Sequence, residues 1–81
     1  MGTSSRRPLP KYITTLIEVT AARQIGRHGF TGSDRDDIIQ QITMEVLRRR
    51  GRFDPSKAGE NTFLARLVRN AMADIVAARK A

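Results

Sequence analysis

Residues 33–51 read SDRDDIIQQITMEVLRRRG, and this stretch decides the fold. Its apolar side chains recur at intervals of three and four residues, which is the period of a helix that buries one face. The sequence therefore predicts an amphipathic helix here. Its predicted buried face consists of Ile38, Ile39, Ile42, Val46 and Leu47.

Both ends of this helix carry residues that suit a helix terminus. Negative charge is favourable at the start of a helix and positive charge at its end. The stretch begins with Asp34, Asp36 and Asp37 and closes with three consecutive arginines. Ser33 is predicted to cap the start, and Gly51 is predicted to end the helix. Capping and the helix dipole account for these aspartates without an active site.

A second helix is predicted before this stretch. Residues 1–10 are polar and broken by prolines, so we expect a flexible N-terminal arm, followed by a helix from Lys11 to about Arg27. Glycines at 26, 29 and 32 serve backbone geometry, because they follow no strand and no Lys-Ser/Thr pair closes them into a phosphate-binding loop. The predicted buried residues are Ile13, Leu16, Ile17, Ala21 and Ile25.

A third helix is predicted beyond a loop at 52–60, from the candidate N-cap Asn61 to about Arg79. Its predicted buried face is Leu64, Leu67, Val68, Ala71, Ile75 and Ala78, with Met72 and Val76 at the edge. The opposite face is basic and otherwise small, and consists of Thr62, Arg66, Arg69, Asn70, Ala73, Ala77 and Lys80. No strand is predicted. The expected fold class is all-α, a small three-helix domain that occupies residues 11–81 as a single unit.

Composition limits the classes of function. The chain has 81 residues, no cysteine, one histidine and a net charge of +7. The lack of cysteine excludes disulfides, a thiolate zinc site and a cysteine nucleophile, and no apolar run is long enough to cross a membrane. No set of side chains meets the geometric requirements of an active site, so we expect no enzyme, no metal and no cofactor. The basic charge favours a nucleic-acid partner, and we expect a cytoplasmic protein.

Three segments together resemble a known family. They are DRDDIIQQI at 34–42, RFDPSK at 52–57 and FLARLVRNAMAD at 63–74. In this order and at this spacing they resemble region 2 of bacterial RNA polymerase sigma factors, closest to the extracytoplasmic-function class. Each segment alone occurs by chance, whereas the three at these separations are specific.

The resemblance implies a sigma factor region 2 domain with two functional faces. One face would bind the clamp coiled-coil of the largest subunit of RNA polymerase core. The residues of this face lie on one side of a helix. They are Asp37, Gln40, Gln41 and Met44. The other would recognise and melt the promoter −10 element during transcription initiation, capture a flipped base and hold the non-template single strand. Its DNA-binding candidates are Phe53, Asp54, Ser56, Lys57, Phe63, Arg66, Arg69 and Asn70. The resemblance also allows an anti-sigma factor as a further partner.

These residues also have purely structural interpretations. Gln40 and Gln41 suit a solvated helix surface, and Asp54 suits a side-chain hydrogen bond that forms a turn. Phe53 and Phe63 suit packing between the loop and the third helix. A run of positive charge such as the one on the third helix is more often just a solvated face.

Two other functions therefore stay open. Glu60 stands where the family usually has an aromatic or apolar residue, and an acid there discourages a nearby phosphate. The family also carries a second helical domain, which reads the −35 element and is not part of residues 1–81. The alternatives are a polymerase-binding interaction module that does not read promoters, and a general basic helical nucleic-acid binder.

Overall fold

The structure, a computed structural model, describes residues 9–27, 29–54, 56 and 59–80. It contains three α-helices, α1 at Lys11–Gln24, α2 at Arg35–Arg49 and α3 at Glu60–Lys80. Short 3₁₀ turns precede and follow α2, at Gly32–Asp34 and Arg50–Arg52. The part of the chain that is described contains no strand, and the predicted all-α, three-helix fold is confirmed. None of these helices combines the length and the apolar character that a membrane span needs.

One hydrophobic core lies between the three helices, each of which packs against the other two. Full burial of an aliphatic side chain contributes roughly 1.5–3 kcal/mol to the free energy of unfolding, so these contacts dominate the stability of the domain. The core residues are Ile13, Ile17, Ala21, Phe30, Ile38, Ile42, Val46, Leu64, Val68, Ala71 and Met72.

The buried faces differ from the prediction at their edges. Leu47 is 43% exposed, because a residue five positions after Ile42 lies about 140° away from it around the helix. Ala78 is exposed, since it lies near the end of α3, beyond the last buried residue of that helix. Met72, predicted at the edge of its helix face, is only 5% exposed. The helical period therefore predicts the centre of each face better than its boundary.

The turn between α1 and α2 places an aromatic ring in the core. Gly26 and Gly29 have φ angles of 88° and 80°, values that only glycine adopts without strain. The Gly26 N–H donates to the carbonyl oxygen of Phe30 at 2.8 Å, which closes the turn. Phe30 is only 6% exposed, although it lies outside every helix that the sequence predicts. The turn also ends α1 at Gln24 rather than near Arg27.

The 3₁₀ turn that leads into α2 is capped by residues other than Ser33. The carboxylate oxygen Oδ2 of Asp34 accepts hydrogen bonds from the backbone N–H of Thr31 at 2.7 Å and from its hydroxyl Oγ1 at 3.2 Å. The Ser33 hydroxyl forms a hydrogen bond with the Thr31 hydroxyl, at 2.9 Å. Asp34 lies in the 3₁₀ turn before α2, so the predicted cap is wrong by position, whereas Asp36 and Asp37 do occupy the first turn of the helix.

The last turn of α3 is fixed to this same turn by one arginine. Arg79 Nη2 donates to the carbonyl oxygen of Gly29 and to Asp34 Oδ2, both at 3.0 Å. The guanidinium carbon lies 4.5 Å from the centre of the Phe30 ring, a cation–π distance. The backbone hydrogen bond from Thr31, assisted by its hydroxyl and by Arg79, holds the pKa of Asp34 below its ordinary value.

The starts of α1 and α3 differ slightly from the predicted ones. The Pro10 carbonyl accepts hydrogen bonds from the first turn of α1, and Leu9 packs against the core. Residues 1–8 of the predicted arm lie outside the described residues. α3 begins at Glu60, one residue before the predicted cap Asn61. A carboxylate in the first turn interacts favourably with the helix dipole, which explains an acid at this position.

Candidate functional site

The four residues of the first predicted face lie together on the outside of α2. Asp37, Gln40, Gln41 and Met44 are all exposed, and Met44 is 57% exposed. We call this set the α2 stripe. The Gln41 side-chain amide donates to Asp37 Oδ2 at 2.8 Å, which orders the first two turns of the stripe. Its surface is polar with one apolar side chain at its end.

A groove follows the α2 stripe, and its second wall is α3. The groove has a volume of about 340 Å³. The sequence does not predict the α3 wall, because the helical period places Ala78 in the core. The sequence does contain a signal for this groove, because Ala78 is small and lies at the end of a helix face, where it leaves room beside the neighbouring helix. The lining residues are Gln41, Met44, Glu45, Arg48, Ala71, Asp74, Ile75 and Ala78.

The basic face of α3 is exposed, as predicted. Arg66, Arg69 and Asn70 are all exposed. Neither Arg66 nor Arg69 makes a hydrogen bond or an ion pair with any of the described residues. Their charge is therefore not neutralised within the described part of the domain.

Other arginines of the chain differ in this respect. Arg48 and Arg49 lie 3.5 Å and 3.2 Å from the carboxylate of Glu45, and Arg79 lies 3.0 Å from that of Asp34. Such partners lower the local positive potential that a phosphate would encounter. Arg66 and Arg69 are thus better candidates than these three arginines for binding an anion.

Arg66 and Arg69 line a cleft between α3 and the start of α1. The cleft has a volume of about 450 Å³ and is lined by Tyr12, Asn61, Thr62, Ala65, Arg66 and Arg69. Tyr12 was not a predicted site residue, and it is 57% exposed. The available signal was its position, because residue 12 lies off the apolar face that Ile13 and Ile17 define.

The loop before α3 is anchored by two aromatic rings. The ring centres of Phe53 and Phe63 are 5.6 Å apart, with an angle of 45° between the ring planes. Both side chains are half-buried. The packing interpretation of these two residues therefore describes what they do in the domain, and it fixes the loop against the first turn of α3. Lys57, a predicted DNA contact, lies outside the described residues.

Asp54 and Ser56 bind each other inside this loop. Asp54 Oδ1 accepts hydrogen bonds from the Ser56 hydroxyl at 2.7 Å and from the Ser56 backbone N–H at 3.0 Å. This is the turn-forming hydrogen bond that the sequence suggests for Asp54. The two hydrogen bonds, the hydroxyl one first, lower the pKa of Asp54. The pair shapes the loop and keeps a negative charge on its surface.

The DNA-binding candidates on α3 form two rows. Phe63, Arg66 and Asn70 follow one another at intervals of three and four residues, on the flank that contacts the loop. Arg66 and Arg69 belong to the flank that faces Tyr12. Arg66 is common to both rows, so the two surfaces are continuous across the outside of the helix.

These features define a helical interaction domain with a polar α2 stripe and a separate basic face on α3. The family model for Sigma-70 region 2 matches residues 11–81, and the chain belongs to this family. It is a sigma factor domain of transcription initiation, in a family that binds RNA polymerase core and promoter DNA and that is not a family of enzymes. A comparison with curated proteins found no match, and neither did a comparison with solved structures.

Proposed function

We propose that this chain binds the clamp coiled-coil of RNA polymerase through the α2 stripe and holds the non-template strand of the −10 element against α3. The observation that carries the proposal is that two helices present surfaces of different chemistry. The α2 stripe is polar and contains Asp37, whereas α3 presents two arginines without partners among the described residues. One surface suits a protein helix and the other suits a phosphate chain.

The exposure and composition of the α2 stripe support docking. Gln41 holds the Asp37 carboxylate in place, so less side-chain entropy is lost when a basic partner binds it. Met44 adds an apolar contact of adaptable shape at the edge of the groove. A partner helix that covers the stripe would bury both kinds of contact at once.

The α3 face supports strand binding. Arg66 and Arg69 are one turn apart and would contact phosphates, which position a strand without reading its sequence. Asn70 can form hydrogen bonds with a base edge, which reads sequence. The loop supplies its shape through Asp54 and Phe53, and Lys57 is proposed as a further phosphate contact.

Glu60 does not favour the alternative without promoter reading. Its carboxylate lies in the first turn of α3 and is exposed, where the helix dipole explains it. An anti-sigma factor is proposed as a partner that would act by covering the α2 stripe, and the proposal places the chain in the cytoplasm with the polymerase.

The test is a titration of this chain onto the isolated clamp coiled-coil of a bacterial polymerase. Asp37→Arg reverses the charge of the one acidic residue in the α2 stripe, and we expect roughly tenfold weaker binding or worse, because like charges then face each other. Glu18→Arg is the matched control, since it makes the same charge change at an exposed position of α1. The control is expected to bind as the unchanged chain does.

Two results would contradict the docking proposal. One is the absence of clamp binding. The other is binding that Asp37→Arg and Glu18→Arg alter equally and that salt removes, because this would indicate attraction by net charge alone.

A further inference from the structure

The cleft between α1 and α3 combines three features. It holds an exposed aromatic ring, Tyr12, and two guanidinium groups, Arg66 and Arg69, that make no ion pair with the described residues. None of the described residues that line it is a carboxylate. The cleft is therefore positive, and it offers a flat apolar surface to a ligand.

The grooves along α2 have the opposite character. The groove beside the α2 stripe is lined by Glu45, Asp74 and one arginine, Arg48. The groove at its other end is lined by Asp34, Asp37 and one arginine, Arg79. Each of these arginines is paired with a carboxylate of its own groove, so both grooves carry an excess of negative charge. Carboxylates repel a phosphate chain, so neither groove suits a nucleic acid. The α1–α3 cleft is the one whose charge complements it.

Proteins that bind single strands combine a basic groove with aromatic side chains on which bases stack. We infer that the α1–α3 cleft binds an unpaired base of a single strand, with Tyr12 as its stacking surface and Arg66 and Arg69 holding the neighbouring phosphates. The side chains between them, Thr62 and Ala65, are small. The cleft volume of about 450 Å³ has room for a base beside the ring.

This inference deepens the proposed function, on which it rests for the source of the strand. Tyr12 faces the flank of α3 that carries Thr62, Ala65 and Arg69, whereas Phe53 packs against Phe63 on a different flank. A strand that crosses Arg66 would therefore continue onto α1, a helix to which the family resemblance assigned no contact. The cleft would add binding energy that any base can supply, because every base has a flat face.

The chain carries its own probe for this contact. Tyr12 is the only tyrosine and there is no tryptophan, so the intrinsic emission reports on this ring. We would titrate the 81-residue chain at low salt with single-stranded oligo-deoxythymidine, and in parallel with an abasic strand of equal length. Saturable quenching by the base-bearing strand and little change with the abasic strand are expected.

Variants test the same contact through affinity, measured by anisotropy of a labelled oligo-deoxythymidine. Tyr12→Leu is expected to bind roughly tenfold more weakly, since it removes a stacked base, whereas Tyr12→Phe keeps the ring and the affinity. Val19→Ala, at another exposed apolar position of α1, is the matched control and should bind normally. Circular dichroism should show unchanged helicity in all three.

Several results would overturn the inference. They are unchanged emission at saturation, equal quenching by the abasic strand, unchanged affinity of Tyr12→Leu, and no saturable binding of either strand. The clamp-docking part of the proposed function is tested separately, because the clamp titration does not involve Tyr12. Clamp binding that depends on Asp37, together with normal strand binding by Tyr12→Leu, would leave the proposed function standing and remove only the cleft.

Discussion

The two ends of α3 use the same residue type in opposite ways. Near the end of the helix, Arg79 contacts the Gly29 carbonyl, the Asp34 carboxylate and the Phe30 ring. Towards its start, Arg66 and Arg69 contact no described hydrogen-bond or charge partner. All three residues are exposed. Of the three, only Arg79 makes contacts with the described residues that stabilise the fold.

This difference shows why net charge is a poor guide to a binding surface. A chain with a net charge of +7 has many exposed cations, and most of them need no explanation. An arginine whose donors are already used contributes to stability and offers less to a ligand. An arginine on a rigid helix with no partner has its donors available, and it is the one expected to act in binding.

We expect the largest change in strand affinity from substitutions at the start of α3. Arg66→Gln combined with Arg69→Gln is expected to weaken binding of a single-stranded oligonucleotide by roughly tenfold or more, because two phosphate contacts are lost. The dependence of the logarithm of affinity on the logarithm of salt concentration should become less steep by about 1.4, since each phosphate contact on a single strand contributes about 0.7. Anisotropy titrations at several salt concentrations measure both quantities.

The same double variant should leave the melting temperature and clamp binding unchanged, because neither arginine has a partner in the described structure. A variant that binds strands normally would favour the interaction module that does not read promoters. A marked fall in the melting temperature would instead show that these arginines are structural, and the comparison between the two ends of α3 would fail.

A smaller effect, on stability, is expected at the other end of the helix. Arg79→Ala removes the cation–π contact and two hydrogen bonds that join α3 to the α1–α2 turn. We expect the melting temperature to fall by about 5 °C, and strand binding to remain close to normal. Lys80→Ala, at the neighbouring exposed position, is the control and should change it by less than about 2 °C. Equal effects of the two substitutions would show that Arg79 contributes only its charge.

Much of this fold follows from local sequence signals. The helical period in each segment identifies the centre of each buried face, for example Ile17, Ile42 and Val68, because a helix that buries one side must repeat apolar residues along it. The burial of Phe30 could not be read in this way. It depends on a turn that folds back onto a helix more than 40 residues away in sequence.

The candidate site shows the same difference between local signals and long-range contacts. The α2 stripe lies within a single helix, so spacing alone places its residues on one face. The α1–α3 cleft needs Tyr12 and Arg66 from two helices, and no local pattern brings them together. The capping of α2 shows the same limit on a smaller scale. Both Ser33 and Asp34 suit a cap, and only the geometry of the 3₁₀ turn selects the Thr31–Asp34 pair.

The smallest predicted effect tests the acid partner of Arg79. The pKa of Asp34 is lower in the folded chain than its ordinary value, chiefly because of the Thr31 backbone hydrogen bond and then the Thr31 hydroxyl and Arg79. The folded state therefore binds this proton more weakly than the unfolded state. The stability that Asp34 contributes is present in full above about pH 4–5 and is lost as the pH falls through the folded pKa.

Asp34→Asn has no charge at any pH, so it should match the protonated form of the native residue. Melting temperatures measured from pH 6 down to pH 2 should show the variant about 2–3 °C less stable at the upper end, with the difference closing towards the lower end. Asp36→Asn, at a side chain that is 95% exposed, is the control and should differ little from the native chain at any pH. A difference for Asp34→Asn that persists to pH 2 would mean that the shape of the turn, rather than the charge that Arg79 and Thr31 stabilise, holds the end of α3 in place.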